Sequence, residues 1–204
     1  MRIGLCGGTF DPFHRGHLDP ILAVRGLLGW DQVIYIPAYI QPFKREQAPA
    51  PAYHRFVMVG MATVDVDGVF ASPLELERGA VSYTVDTLEQ VRSEHPEATI
   101  DWIIGDDNLT RLGEWKSIDR IFELANFVVL TRGGAEVPEP LRDRVTEPRK
   151  RMREGYIVCA ENKTVPVSST EIRRRIRGRE SIDGLVDPRV ARYIHHYALY
   201  EEPS

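Results

Sequence analysis

Short apolar runs alternating with stretches of helical periodicity constrain this chain more than any single motif. The run "RIGL" is followed by Ile21, Val24 and Leu28 at helical spacing, "QVIYIP" by a helix through "YHRFVMVGMATV", and then comes "GVFASPLEL". The order resumes with a helix in "YTVDTLEQVRSEH", the run "TIDWIIG", a helix in "SIDRIFELA" and the run "NFVVL". Strand-length runs separated by helices predict an α/β fold, because parallel strands need crossover connections and those helices bury both faces of the sheet. Two stretches break the pattern. "PAYIQPFKREQAPAPAYH", with Pro37, Pro42, Pro49 and Pro51, reads as a mobile loop, and "TRGGAEVPEPLRDRVTEPRKRMREGY" as charged and irregular. Beyond them Val190, Tyr193, Ile194 and Tyr197 predict an amphipathic helix near the end of the chain.

The 204 residues suit one domain spanning 1–204, with 167–204 as a small C-terminal helical part. Against 30 acidic side chains stand 26 basic ones, so the net charge of −4 gives no general reason to bind nucleic acid, and any anionic ligand must meet a local cluster of positive groups. Two cysteines are too few for a disulfide framework, and Cys6 sits in an apolar run as a buried thiol would. No stretch reads as a signal peptide or a bilayer span, so a soluble, cytoplasmic protein without membrane partners is expected. The sequence leaves a homo-oligomer open.

The stretch "LCGGTFDPFHRGHLDP" places Gly7 and Gly8 after the first strand, with His14 and His17 bracketing Gly16 before a helix expected to begin near His17. That is the ligand edge of an open α/β sheet, although neither common phosphate-binding glycine pattern is present. Taken singly, the glycines can be a simple turn and each histidine a packing residue. A zinc site lacks ligands, since Cys6, Asp11 and Asp19 do not complete a set, and no metal site is expected. A second constellation, "VPVSSTEIRRRIRGRE", has Ser168 and Glu171 at capping-box spacing, which predicts a helix start and an anion-binding N-terminus. On that helix Thr170, Arg173, Arg174 and Arg177 share one face; a well-capped surface helix, with its arginines solvated or paired to Glu171 and Glu180, is the competing reading.

"GGTFDPFHRGHL" and "VSSTEIRRRI" resemble the H-x-G-H and S-S-T-x-I-R signatures of the nucleotidyltransferase superfamily. With "ELERGAVSYTVDTL", "IIGDDNLTRLGEWKSI" and "VARYIHHYALY" the chain is similar along nearly its whole length to bacterial nicotinate mononucleotide adenylyltransferases. The resemblance implies a Rossmann-like open twisted parallel sheet. It also implies adenylyl transfer from ATP to nicotinate mononucleotide in NAD biosynthesis, with Mg²⁺ carried by ATP and no dedicated protein site. His14 and His17 would be the catalytic phosphate donors. The backbone around Gly8, Thr9 and Phe10, together with Lys44, Gly105, Asp107, Ser168, Thr170 and Arg173, would bind ATP. Tyr83, Thr84, Trp115 and Lys116 would receive the acid nucleotide, Trp115 by stacking on its ring. Read alone, Asp107 is a helix N-cap, Tyr83 and Thr84 a strand end and helix cap, Trp115 a core aromatic and Lys44 a surface lysine. Phe43 departs from the family's proline loop, where a histidine is usual. A nicotinamide mononucleotide or dual-specificity enzyme, and a non-catalytic nucleotide-binding module, are the alternatives.

Overall fold

An unbroken buried run, Ile3 to Leu5, along β1 (Arg2–Gly8) shows a strand covered on both sides: Ile3 and Leu5 face one apolar cluster while Gly4 lies against Trp30 on the other. The computed structural model describes residues 1–42, 49–131, 136–148, 150, 154–162 and 166–201. After β1 come α1 (Arg15–Leu28), β2 (Gln32–Pro37), α2 (Ala52–Thr63), β3 (Val69–Ala71), α3 (Leu74–Arg78), α4 (Thr84–Glu94) and β4 (Thr99–Gly105). The second half runs α5 (Asp106–Leu109), α6 (Ile118–Leu124), β5 (Asn126–Thr131), β6 (Ile157–Glu161), α7 (Ser169–Arg177) and α8 (Pro188–His196).

All six strands are parallel, in the order β3-β2-β1-β4-β5-β6. Helices α4 and α6 pack with Ile100, Trp102 and Phe127 on one face, and α1, α2, α7 and α8 with Tyr35, Ile103 and Val128 on the other. The order in which strands are added reverses between β1 and β4, and a crevice opens at the carboxyl ends of the strands at that switch. A buried polar link fastens this centre: Asp101 accepts from the Trp30 indole at 2.7 Å and from the Asn126 amide at 3.0 Å.

Four expectations are corrected. Of "GVFASPLEL" only Val69–Ala71 is strand, because Leu74–Arg78 coils into a helix closed by Gly79 at φ 63°. The stretch read as irregular contains a 3₁₀ turn at Glu139–Arg144 and gives way to β6, whose "IVCAE" is too short for its periodicity to stand out. α1 begins at Arg15, with His14 as its N-cap, ahead of the start expected near His17. On α8, Val190 and Ile194 are buried, but Tyr197 falls at the C-cap and is half exposed. The centre of the proline loop, residues 43–48, lies outside the described residues.

Candidate active site

β1 delivers Gly7 and Gly8 to the carboxyl edge as strand residues, which corrects the reading of them as a turn. Glycine is needed there for packing: a Cβ at Gly7 would sit 2.6 Å from the Trp102 ring, and one at Gly8 2.9 Å from the Phe10 ring. The turn is made by Phe10 at φ 51°, a left-handed conformation that is strained for an aromatic residue. Burial holds it there, with ring centroids 5.5 Å from Phe13, 5.1 Å from His17 and 5.7 Å from Tyr35.

From this turn the chain enters α1 through the paired histidines. Their rings stack with centroids 3.7 Å apart, and the His14 N–H donates to His17 Nδ1 at 3.2 Å. A neutral His17 therefore carries its proton on Nε2. His14 is buried, and its Nδ1 has no hydrogen-bond partner among the described residues. Burial pulls the His14 pKa down to about 4, so the ring is neutral at pH 7. A buried polar atom left unsatisfied is costly, and such atoms in native folds call for an explanation such as a ligand.

The second constellation meets the first. Ser168 caps α7 by accepting the Glu171 N–H at 3.2 Å, while the Glu171 carboxylate turns to Arg174 and Arg175. Ser169 Oγ donates to the Pro12 carbonyl at 3.0 Å and Arg173 Nη1 to the Asp11 carbonyl at 2.5 Å, so the N-terminus of α7 is fastened to the opening loop. Gly16 permits this approach, since a Cβ there would lie 3.0 Å from both the His14 ring and Val167. Thr170 Oγ1 accepts from Arg173 Nη2 at 3.3 Å. Arg174 leaves the expected ligand face and is taken up by Glu171 and Glu180, as the competing reading had it; Arg177 stays on the cleft.

At the end of β4, Gly105 rather than Asp107 is the N-cap of α5. The Asp107 carboxylate folds back over that glycine, where a Cβ would meet Oδ1 at 2.5 Å. Opposite, Tyr83 is the N-cap of α4 and Thr84 its first residue, so the first N–H groups of the helix lie ahead of any intrahelical bond. Trp115 is half-buried and packs edge-on against Phe127 with centroids 5.8 Å apart. Lys116 joins the two segments, with Nζ 3.0 Å from Asp86 Oδ1 and 4.5 Å above the Tyr83 ring. These groups line one cleft of about 1750 Å³, larger than the roughly 300–1,000 Å³ of ordinary ligand pockets and suited to two ligands side by side.

Several supporting residues escaped the sequence reading. Arg55, almost fully buried, donates to the carbonyls of Thr9 at 2.6 Å, Ala38 at 2.7 Å and Ala50 at 2.9 Å. A lone arginine inside the apolar pattern of "YHRFVMVGMATV" was the available signal. Glu75, also buried, accepts from the Thr87 hydroxyl at 2.6 Å under the acceptor segment; burial pushes its carboxyl up, opposed by hydrogen bonds from Thr87 and Ser82. Gln41 accepts from the Thr9 hydroxyl at 2.9 Å. Lys44, expected at the ATP phosphates, lies outside the described residues. Among the described residues no group of three or more His, Cys, Asp or Glu side chains is placed to hold a metal ion, and no helix is long and apolar enough to cross a membrane.

A crevice at the switch point of a doubly wound sheet, with paired histidines against a helix N-terminus, defines a nucleotide-binding α/β protein. A family model described as cytidylyltransferase-like matches residues 5–175. A probable nicotinate-nucleotide adenylyltransferase of Gemmatimonas aurantiaca is 38% identical over 202 residues, covering 99% of this chain and 93% of its own length. One from Thermoanaerobacter is 35% identical over 206 residues, covering 99% of this chain and 95% of its own. The nicotinic acid mononucleotide adenylyltransferase of Plasmodium falciparum complexed with NaAD shares the fold, with a TM-score of 0.74 at 19% identity over 98% of this chain and 97% of that one. The chain belongs to the cytidylyltransferase-like family and, within it, to the nicotinate-nucleotide adenylyltransferases.

Proposed function

We propose that the protein transfers the adenylyl group of MgATP to nicotinate mononucleotide, giving nicotinate adenine dinucleotide and pyrophosphate, a step of NAD biosynthesis. A phosphate oxygen of the mononucleotide attacks the α-phosphorus of ATP, a new P–O bond forms, and the bond to pyrophosphate breaks. That oxygen is already ionised near neutral pH, so the reaction needs no general base. It needs orientation and donors aimed at charge that builds in the in-line transition state.

The observation that carries this reading is the buried His14 Nδ1, without a hydrogen-bond partner among the described residues, in a ring stacked on His17 beside the N-terminus of α7. In this reading His17 donates through Nε2–H, and His14 gains the partner it lacks. The α7 N–H groups, Ser168, Thr170 and Arg173 receive the β- and γ-phosphates, as a helix N-terminus receives anions. Asp107 accepts from the adenosine ribose hydroxyls, and the backbone from Gly8 to Phe10 and Gly105 lies against the nucleotides. Magnesium arrives as part of the substrate, balancing the charge of the leaving pyrophosphate. On the acceptor side Trp115 stacks on the pyridine ring, while N–H groups near Thr84 and Lys116 take its carboxylate beside the Tyr83 ring. An amide could not satisfy donors on both of its positions, so one buried donor would stay unpaired.

Incubation with MgATP and nicotinate mononucleotide is expected to yield dinucleotide and pyrophosphate in equal amounts. Absence of both products would overturn the reading.

A further inference from the structure

Asp11, which the reaction scheme leaves unused, is the meeting point of three segments. Its buried carboxylate accepts the Tyr200 phenol at 2.7 Å and the Ala50 N–H at 3.1 Å through Oδ1, and Oδ2 stands 3.6 Å from Arg173 Nη1. The same Arg173 nitrogen donates to the Asp11 carbonyl. Tyr200, in the segment after α8, reaches Asp11 only by taking a left-handed backbone at φ 69°, a conformation that something must hold in place. Arg55 spans the adjoining carbonyls of Thr9 and Ala50, so the opening loop and the end of the proline loop are pinned from below.

We infer that Tyr200 is a positioning residue for ATP: by occupying Oδ1 of Asp11 it keeps that carboxylate from closing on Arg173 and leaves the guanidinium available to the phosphates. Arginine and carboxylate pair most strongly in the two-pronged geometry that uses both carboxylate oxygens. Here the pair is held short of it, with one oxygen at 3.6 Å and the other committed to a phenol and an amide. Arg173 is thus oriented by the Asp11 carbonyl and makes only a single long ion pair with the carboxylate at 3.6 Å, and part of the ordering cost of a long side chain is met before ATP arrives. Burial and the neighbouring Asp11 charge push the Tyr200 phenol well above its ordinary pKa, so the donor stays protonated.

The inference rests on the placement of ATP phosphates at Arg173, and its test separates it from the reaction itself. MgATP affinity is measured by direct titration without acceptor, and turnover with nicotinate mononucleotide separately. Tyr200→Phe keeps the ring and loses the hydroxyl; ATP affinity is expected to fall roughly five- to tenfold, on the scale of one ordinary hydrogen bond, with kcat and acceptor KM within about twofold. In an Asp11→Asn background, whose neutral amide cannot form the two-pronged ion pair with Arg173, the same substitution should change ATP affinity less than about twofold, which shows that the effect of Tyr200 runs through Asp11; generalised loosening is separated from it by the unchanged kcat and acceptor KM. Unchanged ATP affinity in Tyr200→Phe, a parallel rise in both substrates' KM, or an equal effect in the Asp11→Asn background would overturn the inference. Wild-type protein that binds ATP without turnover would count against the adenylyl-transfer reading and leave the Tyr200 test standing.

Discussion

At the scale of single residues, the surroundings of His14 and His17 differ, and the proposed reading gives them different work. If His17 is the transition-state donor proposed, His17→Ala is expected to lower kcat by roughly 10²- to 10³-fold with a modest loss of ATP affinity; an unchanged rate would take the histidine out of the mechanism. Arg173→Ala should raise the KM for ATP more than that for the mononucleotide, and the reverse pattern would move the triphosphate elsewhere. His14 has a sign-definite pH signature. Its folded pKa of about 4 lies below the ordinary 6.5, so the fold favours the neutral ring. Its contribution leaves stability unaffected above pH 6.5, and lowers it progressively as pH falls from 6.5 towards 4, by up to about 3 kcal/mol. Triphosphate beside the ring raises that pKa, so MgATP binding near pH 5.5 should take up protons. Calorimetric binding enthalpies that vary with buffer ionisation check this, and enthalpies independent of the buffer would contradict it.

At the scale of elements, the site depends on glycines that let helices and rings close on one another. Gly16→Ala puts a methyl 3.0 Å from both His14 and Val167, so it should separate α1 from α7, lower kcat and cost about 1–3 kcal/mol of stability, read from a denaturant midpoint. Wild-type kcat in that variant would show that the contact does not matter. Strands β1, β2, β4 and β5 and helices α2, α4 and α6 were legible because their apolar periods run long enough to read. β6 was not, since five residues between charged stretches carry too little pattern, and β3 was overread because the apolar residues of α3 follow it directly. His14, His17, Ser168 and Arg173 were legible as motifs. Their meeting was not, since the bond between Ser169 and Pro12 joins positions 157 apart and no local pattern encodes it. Arg55, Glu75 and Tyr200 were missed because their value lies in carbonyls, hydroxyls and a carboxylate supplied by other segments.

Across the whole molecule, the strand order β3-β2-β1-β4-β5-β6 decides where chemistry can occur. It opens the crevice between β1 and β4, sets Gly8 and Gly105 on its two lips, and brings the N-termini of α7 and α4 onto one cleft. In the proposed reading the triphosphate end and the carboxylate end are read by different helix N-termini, which predicts that substrate selectivity is separable from rate. The most direct measurement compares initial rates of dinucleotide formation from MgATP with nicotinate mononucleotide and, separately, with nicotinamide mononucleotide. A strong preference for the acid, kept by His17→Ala while the rate falls roughly 10²- to 10³-fold, is the predicted result. Comparable rates with acid and amide would contradict the carboxylate site between Thr84 and Lys116, and no product from either would contradict adenylyl transfer itself.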